Sequence, residues 1–233
     1  MAVKSVFIPH PEPDGSRLRI SGGEHHHLTV ARAQEGETVE LLDGRGGVWM
    51  TEIVSVGRKE TIVRIVEMRQ VESSGPEVIL ALSLIKPSAF ELALEKAVEV
   101  GVTRIIPLIA ARSNVAPGRS DRWKRVVIEA AKQSNRYHLP VVDEPSKFAH
   151  LLEFNAATKI VFAERGGGPL ESALAGSPAL CLIGPEGGWT DAELEAARVK
   201  KFDFVSLGAG ILRSETAAIV GAALLRYELQ RTH

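Results

Sequence analysis

Glu186 sits where a carboxylate is hard to explain. It stands inside Gly184-Pro185-Glu186-Gly187-Gly188, directly after the apolar run Ala179-Leu-Cys-Leu-Ile183. Glycines let a backbone approach a ligand closely and expose its N–H groups. The same composition also suits a tight turn with special backbone angles, and composition leaves both readings open. The residues that follow fix the position. Thr190, Asp191 and Glu193 form Thr-x-x-Glu with an acid at the first helical position, a capping box. The loop therefore joins a strand's carboxyl end to a helix's amino end, the edge of an open α/β sheet where ligands bind.

A second loop has the same placement. Residues 204–229 read strand, loop, then a final apolar helix, with Leu207-Gly-Ala-Gly-Ile-Leu-Arg213 between them. Gly208-Ala209-Gly210 opens like a dinucleotide fingerprint. Arg213 stands where its third glycine belongs, and no strand with an acidic end follows the helix, so a Rossmann site is excluded. No GxxxxGK[ST] is present, which excludes a P-loop. Ser214 reads as the helix N-cap and Glu215 as the acid answering the helix dipole. Arg213 just before a helix start opposes the positive helix end. That placement predicts that Arg213 faces something anionic or electron-rich.

A third feature is basic. Residues 112–136 hold seven Lys or Arg and two acids. On a helix over 120–136, Trp123, Val126, Val127, Ala130 and Ser134 form one stripe. Arg122, Arg125, Glu129, Lys132 and Arg136 form another. A row of cations can track a phosphate backbone, or it can be a solvated face. Arg112, Arg119 and Lys124 add to the charge. His25-His26-His27 does not read as a metal site, because adjacent helical residues do not share a face and no partner lies at ligand spacing. One buried, hydrogen-bonded histidine and two surface ones are expected. No GxSxG, HExxH or activated cysteine is found.

The elements that must position these loops follow from patterning. The 233 residues are 45% hydrophobic and 24% charged, with a net charge of −1, which is ordinary for a globular protein. The one cysteine, Cys181, cannot form an internal disulfide, and a reducing, cytoplasmic setting is expected. The first residues carry no apolar targeting segment. Short runs at 16–20, 38–43, 48–56 and 61–68, separated by Gly-rich turns, predict a small β-barrel or sandwich over 1–70. One short helix is expected at 24–33. Residues 71–77 read as a linker. Strand candidates at 77–85, 103–110, 159–164, 179–183 and 203–207 then alternate with helices at 87–101, 120–136, 190–200 and 214–230. That alternation predicts an α/β domain with a mostly parallel sheet over 78–233.

Taken in order, Lys86, EKAVEVGVTRIIPL, AAKQSNR, IGPEGGWTDAE and LGAGILRSETAA resemble the RsmE-type small-subunit ribosomal RNA uridine-N3 methyltransferases of the SPOUT superfamily. The resemblance covers nearly the whole chain. HLTVARAQEGETVELLDGRG is similar to part of the family's PUA-like RNA-binding domain. Lys4-Ser5 stands where the family usually has a basic pair, Ala31 where it has Leu, and Lys132 where it has an acid.

The resemblance implies a PUA-like domain over 1–70 and a SPOUT domain over 78–233 with a C-terminal trefoil knot. It implies a homodimer with active sites near the interface and no metal, acting on 16S ribosomal RNA within the small subunit. It implies S-adenosylmethionine held by Ile183, Gly184, Pro185, Glu186, Gly187, Gly188, Leu207, Gly208, Ile211, Leu212 and Ala217. For Glu186 a contact within the loops is ranked ahead of one to the cofactor. Arg213 would stabilise charge on the uracil. Glu215 is a candidate proton acceptor, with its helix-dipole role ranked first. Lys4, Arg32, Arg112, Arg122, Arg125 and Arg136 are the candidate RNA contacts. Two alternatives stand beside this reading: a catalytically idle RNA-binding assembly factor, and a ribose 2′-O-methyltransferase of the same superfamily.

Overall fold

A computed structural model describes residues 4–113, 120–164 and 166–231. Arg119 lies outside the described residues. The chain divides into two compact units, Met1–Ser74 with Ala131–Leu139, and Gly75–Ala130 with Pro140–His233.

The first unit contains strands β1 (Lys4–Phe7), β2 (Arg17–Ser21), β3 (Thr38–Leu42), β4 (Gly47–Val56) and β5 (Glu60–Gln70), with helix α1 (Gly22–Val30) between β2 and β3. They form one sheet in the order β1-β3-β4-β5-β2. β1 runs parallel to β3, and the other pairs are antiparallel. The small β-barrel or sandwich expected from turn spacing takes the form of one five-stranded sheet with β1 and β2 at its ends. Alternation drives it: β2 buries Leu18 and Ile20 and exposes Arg17, Arg19 and Ser21, the period of a half-buried strand. Val6, Leu28, Ala33, Val39, Leu41, Trp49, Ile53 and Val63 join them in that core. Within α1, His25 is buried and its Nδ1 lies 2.9 Å from Thr61 Oγ1, while His26 and His27 are exposed. The expected division of the three histidines holds.

The second unit holds β6 (Val78–Ser83), α2 (Pro87–Val100), β7 (Arg104–Ile109), α3 (Ser120–Ser134), β8 (Val141–Val142), β9 (Ser146–Lys147) and α4 (Phe148–Leu151). β10 (Thr158–Phe162), β11 (Ala179–Ile183), α5 (Asp191–Val199), β12 (Asp203–Val205) and α6 (Ser214–Arg231) follow. The sheet runs β12-β10-β11-β6-β7-β8, with β9 also on β7, and every pair is parallel. The predicted parallel α/β sheet is borne out. β6 and β11 are buried at every position, as strands covered on both faces must be. α2 ends where Gly101 adopts φ 86°, the left-handed cap that glycine tolerates.

Helix α3 departs from its sequence reading. Its last residues, from Ala131, cluster with the first unit. There Gly46 N–H donates to the Tyr137 carbonyl and Leu139 N–H to that of Gly44. The reason is local: residues 131–139 add backbone pairing to the β3–β4 turn, which helical periodicity cannot reveal. Among the described residues, no helix is long and apolar enough to cross a membrane.

Candidate active site

Sheet order explains why two glycine loops distant in sequence converge. β11 and β12 lie on either side of β10, so the loops leaving their carboxyl ends flank the loop leaving β10. A cleft of about 340 Å³ opens there. Of the residues expected around a cofactor, Ile183, Gly184, Pro185, Gly187, Gly188, Leu207, Gly208, Leu212 and Ala217 line it. Glu186 and Ile211 do not. Ile211 is 70% exposed. Glu186 is exposed, and its Oε1 lies 3.5 Å from the Lys86 backbone N–H, a weak contact between loops.

The β11 loop is fixed from several sides. Trp189 Nε1–H donates to the Phe162 carbonyl at 3.0 Å, and its ring packs 5.4 Å from that of Phe148. A Cβ on Gly184 would meet that indole at 3.0 Å, so glycine is the residue that lets strand and ring approach. The capping box is present: Thr190 Oγ1 accepts from Glu193 N–H at 3.2 Å, and Thr190 N–H donates to Glu193 Oε2 at 2.9 Å. Glu193 is buried, and its other oxygen accepts from Ala111 N–H at 2.8 Å. One carboxylate therefore caps α5 and ties the segment after β7 to it.

At the β12 loop, Gly208 holds φ +119°, and neither Gly208 nor Gly210 would place a Cβ within 4 Å of another atom. Gly188, at φ +68°, is equally open. These three glycines leave a backbone-lined hollow that side chains would fill. The lower wall is apolar, with Phe162, Ile183 and Leu194. Such a cleft suits a flat, largely uncharged group with a few polar atoms.

Helix α6 corrects one expectation. Ala217 N–H donates to the Arg213 carbonyl at 2.8 Å, so Arg213 is the cap residue and Ser214 begins the helix. Ser214 is buried and faces the cleft; it turns inward because the helix starts one residue earlier than the Ser signal suggests. Arg213 is exposed and does not line the cleft, and its side chain has no partner among the described residues. Glu215 is half-buried in the first turn of α6.

The basic residues have mixed fates. Arg112 lines the cleft and donates from Nη1 to the Gly187 carbonyl at 2.8 Å and more weakly to that of Trp189 at 3.4 Å. Arg122 is ion-paired with Glu91, Nη2 to Oε2 at 2.7 Å. Lys132, 7% exposed, lies 3.4 Å from Glu24. The expected row of cations is therefore interrupted by ion pairs. Lys4 is bound to Glu37 and holds that carboxyl below its usual range. Arg125 is exposed, its Nε 3.4 Å from the Asp121 carbonyl. Arg32 is exposed at φ 50°, and Arg136 is partly exposed. Burial pushes the Cys181 thiol up to about 12, which removes it as a nucleophile.

Sequence reasoning passed over Phe162, Ala163, Glu164, Trp189, Leu194, Ser206, Gly210 and Ser214 as cleft residues. The signal for Glu164 was present. The strand was read to 164, but it stops at Phe162, and Gly166-Gly167-Gly168 follow. A third glycine loop therefore starts from β10.

Comparison with known proteins gives this fold and cleft a class. Residues 72–226 match the family model described as RNA methyltransferase domain, and residues 20–66 match the RNA methyltransferase PUA domain. Ribosomal RNA small subunit methyltransferase E of Synechocystis sp. is 33% identical, over 99% of this chain and 79% of that protein. The protein of the same name from Rickettsia conorii is 30% identical over 97% of this chain and 96% of its own. A crystal structure of ribosomal RNA small subunit methyltransferase E from Neisseria gonorrhoeae bound to S-adenosyl methionine superposes with a TM-score of 0.90, at 27% identity, over 97% of this chain and 98% of that one. The chain belongs to the ribosomal RNA small subunit methyltransferase E family.

Proposed function

We propose that the protein methylates N3 of a uridine in 16S ribosomal RNA, using S-adenosylmethionine bound in the cleft of the β10, β11 and β12 loops. The observation that carries this reading is the hollow left by Gly188, Gly208 and Gly210, beside an apolar floor. Its shape and lining fit an adenosine, and the Neisseria relative of the same fold is bound to S-adenosyl methionine. The trefoil knot, the homodimer with active sites near its interface, and the cytoplasmic setting belong to this reading through the resemblance.

When bound, S-adenosylmethionine supplies an electrophilic methyl group on sulfur. The chain's part is to hold the uracil edge in line with it and to keep water out. The rigid β11 loop and the apolar floor provide the fixed side of that arrangement. Uracil N3 must lose its proton, and the resulting charge spreads onto the ring oxygens. Arg213, with no partner among the described residues, stands at the amino end of α6 to stabilise that charge. Glu215 is the nearest acid in sequence and serves the helix end first; it is the candidate proton acceptor. Arg32 and Arg125, both exposed, are the candidate RNA contacts with the fewest competing partners among the described residues, and Arg136 is a further candidate. Lys4 and Arg122 would have to leave ion pairs to join them.

The test is a transfer assay. The protein and S-adenosylmethionine are incubated with small ribosomal subunits lacking the modification, and the digested nucleosides are identified by mass. Appearance of 3-methyluridine supports the proposal. A ribose-methylated nucleoside would move the activity to the 2′-hydroxyl, and no methylation without cofactor binding would favour an idle assembly factor. Arg213→Ala is expected to keep cofactor affinity and lose turnover by about a hundredfold, the scale of one removed electrostatic stabiliser. Full turnover in that variant sinks the role given to Arg213.

A further inference from the structure

The amino end of α6 forms part of the cleft wall, through Leu212, Ser214 and Ala217. Ser214 is only 6% exposed, and its hydroxyl makes no hydrogen bond among the described residues. A buried hydroxyl left without a partner is costly, and an oxygen of a ligand in the cleft would remove that cost. We propose that this hydroxyl, with the backbone N–H groups of the first α6 turn, receives a carbonyl oxygen of the target uracil and holds the negative charge it gains when N3 loses its proton. This rests on the reading of the cleft as the site of methyl transfer.

The helix begins without a side-chain cap. Ala217 N–H, donating to the Arg213 carbonyl, is the first to close a helical turn. The N–H groups of Ser214, Glu215 and Thr216 are left over, and none has an acceptor among the described residues. A Ser, Thr, Asp or Asn at the cap position would accept from one of them. Arginine stands there instead, and a guanidinium has no acceptor. Helix α5 shows the alternative, with Thr190 and Glu193 satisfying each other's backbone. The α6 end therefore keeps free backbone donors at the positive pole of an 18-residue helix. Ser214 adds a hydroxyl that already faces the cleft.

The target base has the matching need. N3 of uracil lies between two carbonyl groups. Its proton passes to the acceptor, for which Glu215 is the candidate, and the charge left behind moves onto those oxygens. Once protonated, Glu215 carries no charge to oppose the base. Donors fixed in advance and aimed at such an oxygen stabilise the charged form more than the neutral one. Arg213 is exposed and does not line the cleft, so it acts from outside the lining, whereas Ser214 acts from within it.

The test compares wild type, Ser214→Ala and Ser214→Thr as full chains. Calorimetry reads S-adenosylmethionine affinity. Single-turnover transfer to saturating small ribosomal subunits lacking the modification reads the chemical step across pH. Ser214→Ala is expected to bind S-adenosylmethionine as wild type does and to transfer about tenfold more slowly at neutral pH, the low end for a hydrogen bond to a charged group. The deficit should shrink as pH rises. The hydroxyl favours the deprotonated base and so lowers its pKa; removing it raises that pKa by about one unit, and at alkaline pH the base is deprotonated in both proteins. Glu164 and Arg112 in the lining and Glu215 in the same turn are present in both and shift both profiles alike. Ser214→Thr keeps the hydroxyl and should follow the wild-type profile. An Ala variant with the wild-type rate overturns the proposal. So does a deficit that is the same at every pH, which would give the hydroxyl a role in the fold. Cofactor affinity that falls as far as the rate overturns it too, by assigning the hydroxyl to the methyl donor. Wild-type protein that binds S-adenosylmethionine but methylates no uridine removes the underlying reading, and that failure shows before any variant is made.

Discussion

The loops after β11 and β12 share a glycine-rich composition and a strand-to-helix placement, yet they are built differently. The β11 loop is bound at Trp189, at Gly187 through Arg112, and at Thr190 through Glu193. For residues 207–212 the described contacts supply one hydrogen bond, from Ser206 Oγ to the Gly208 carbonyl at 3.1 Å. In the first loop glycine is required because neighbours press against it, as at Gly184. In the second, glycine leaves room that no neighbour fills, as at Gly210. The β11 loop uses Gly184 for packing and only Gly188 for access, while the β12 loop uses both its glycines for access. The cleft therefore has one wall whose changes should appear in stability and another whose changes should appear in binding.

The largest expected effect lies in the braced wall. Trp189→Ala removes the indole's packing on Phe148 and leaves the Phe162 carbonyl without its donor. Phe or Trp truncations in cores cost about 3–5 kcal/mol, and because Trp189 is half-buried the lower end, about 3 kcal/mol, is expected. Urea denaturation reads it as a lower midpoint at unchanged slope. Ile211→Ala in the other wall, at 70% exposure, should stay within about 0.5 kcal/mol of wild type. Similar losses in the two variants would break the comparison.

Much of this difference was hidden in the sequence. The longer strands and helices of the second unit were legible to within one or two residues, because continuous apolar runs and helical periodicity are local signals, while the short β8, β9 and α4 were not anticipated. Gly101 and the Thr190–Glu193 capping box were equally local. What periodicity could not show was pairing. β1 is four residues long and joins β3 across more than thirty positions, so nothing near Lys4 announces it. Lys132 reads as one cation in a row until the fold brings Glu24 to it. Arg112 reads as an RNA contact until the Gly187 carbonyl is placed beside it. Glu164 was read as the end of a strand, because the mark that the strand stops lies in Gly166-Gly167-Gly168 after it and not in Val-Phe-Ala before it. GPEGG and LGAGILR were both legible as ligand loops, while their unequal bracing was not, since the braces come from β7, β10 and α4.

A smaller loss tests the cap that anchors the braced wall. Thr190→Ala removes the side-chain acceptor for Glu193 N–H and one of the partners of the Glu193 carboxylate. Losing such a cap costs about 1 kcal/mol, a fall of about 2–4 °C in melting temperature for a chain of this size. Glu193→Gln keeps an acceptor for Ala111 N–H and should cost less than Thr190→Ala. A larger cost for Gln would mean that the charge at the α5 amino end outweighs the hydrogen-bond geometry.

The smallest stability effect should come with a clear effect on binding. Gly210 has no left-handed φ, and a Cβ there meets nothing within 4 Å. Gly210→Ala therefore costs no strain, and by restricting the unfolded chain it should stabilise the protein by about 0.4–1 kcal/mol. Gly210 lines the cleft, and an added methyl there is expected to take space that the proposed function gives to the cofactor. A methyl group forced against a ligand costs about 1–3 kcal/mol, as overpacking does in a core, so affinity for S-adenosylmethionine should fall by about tenfold or more. Denaturation and calorimetry on the same sample read both quantities. A variant more stable and weaker in binding is the signature of a wall built for access. A variant that binds as wild type does would take Gly210 out of the cofactor wall, and one that is destabilised would make the β12 loop a packed element like its neighbour.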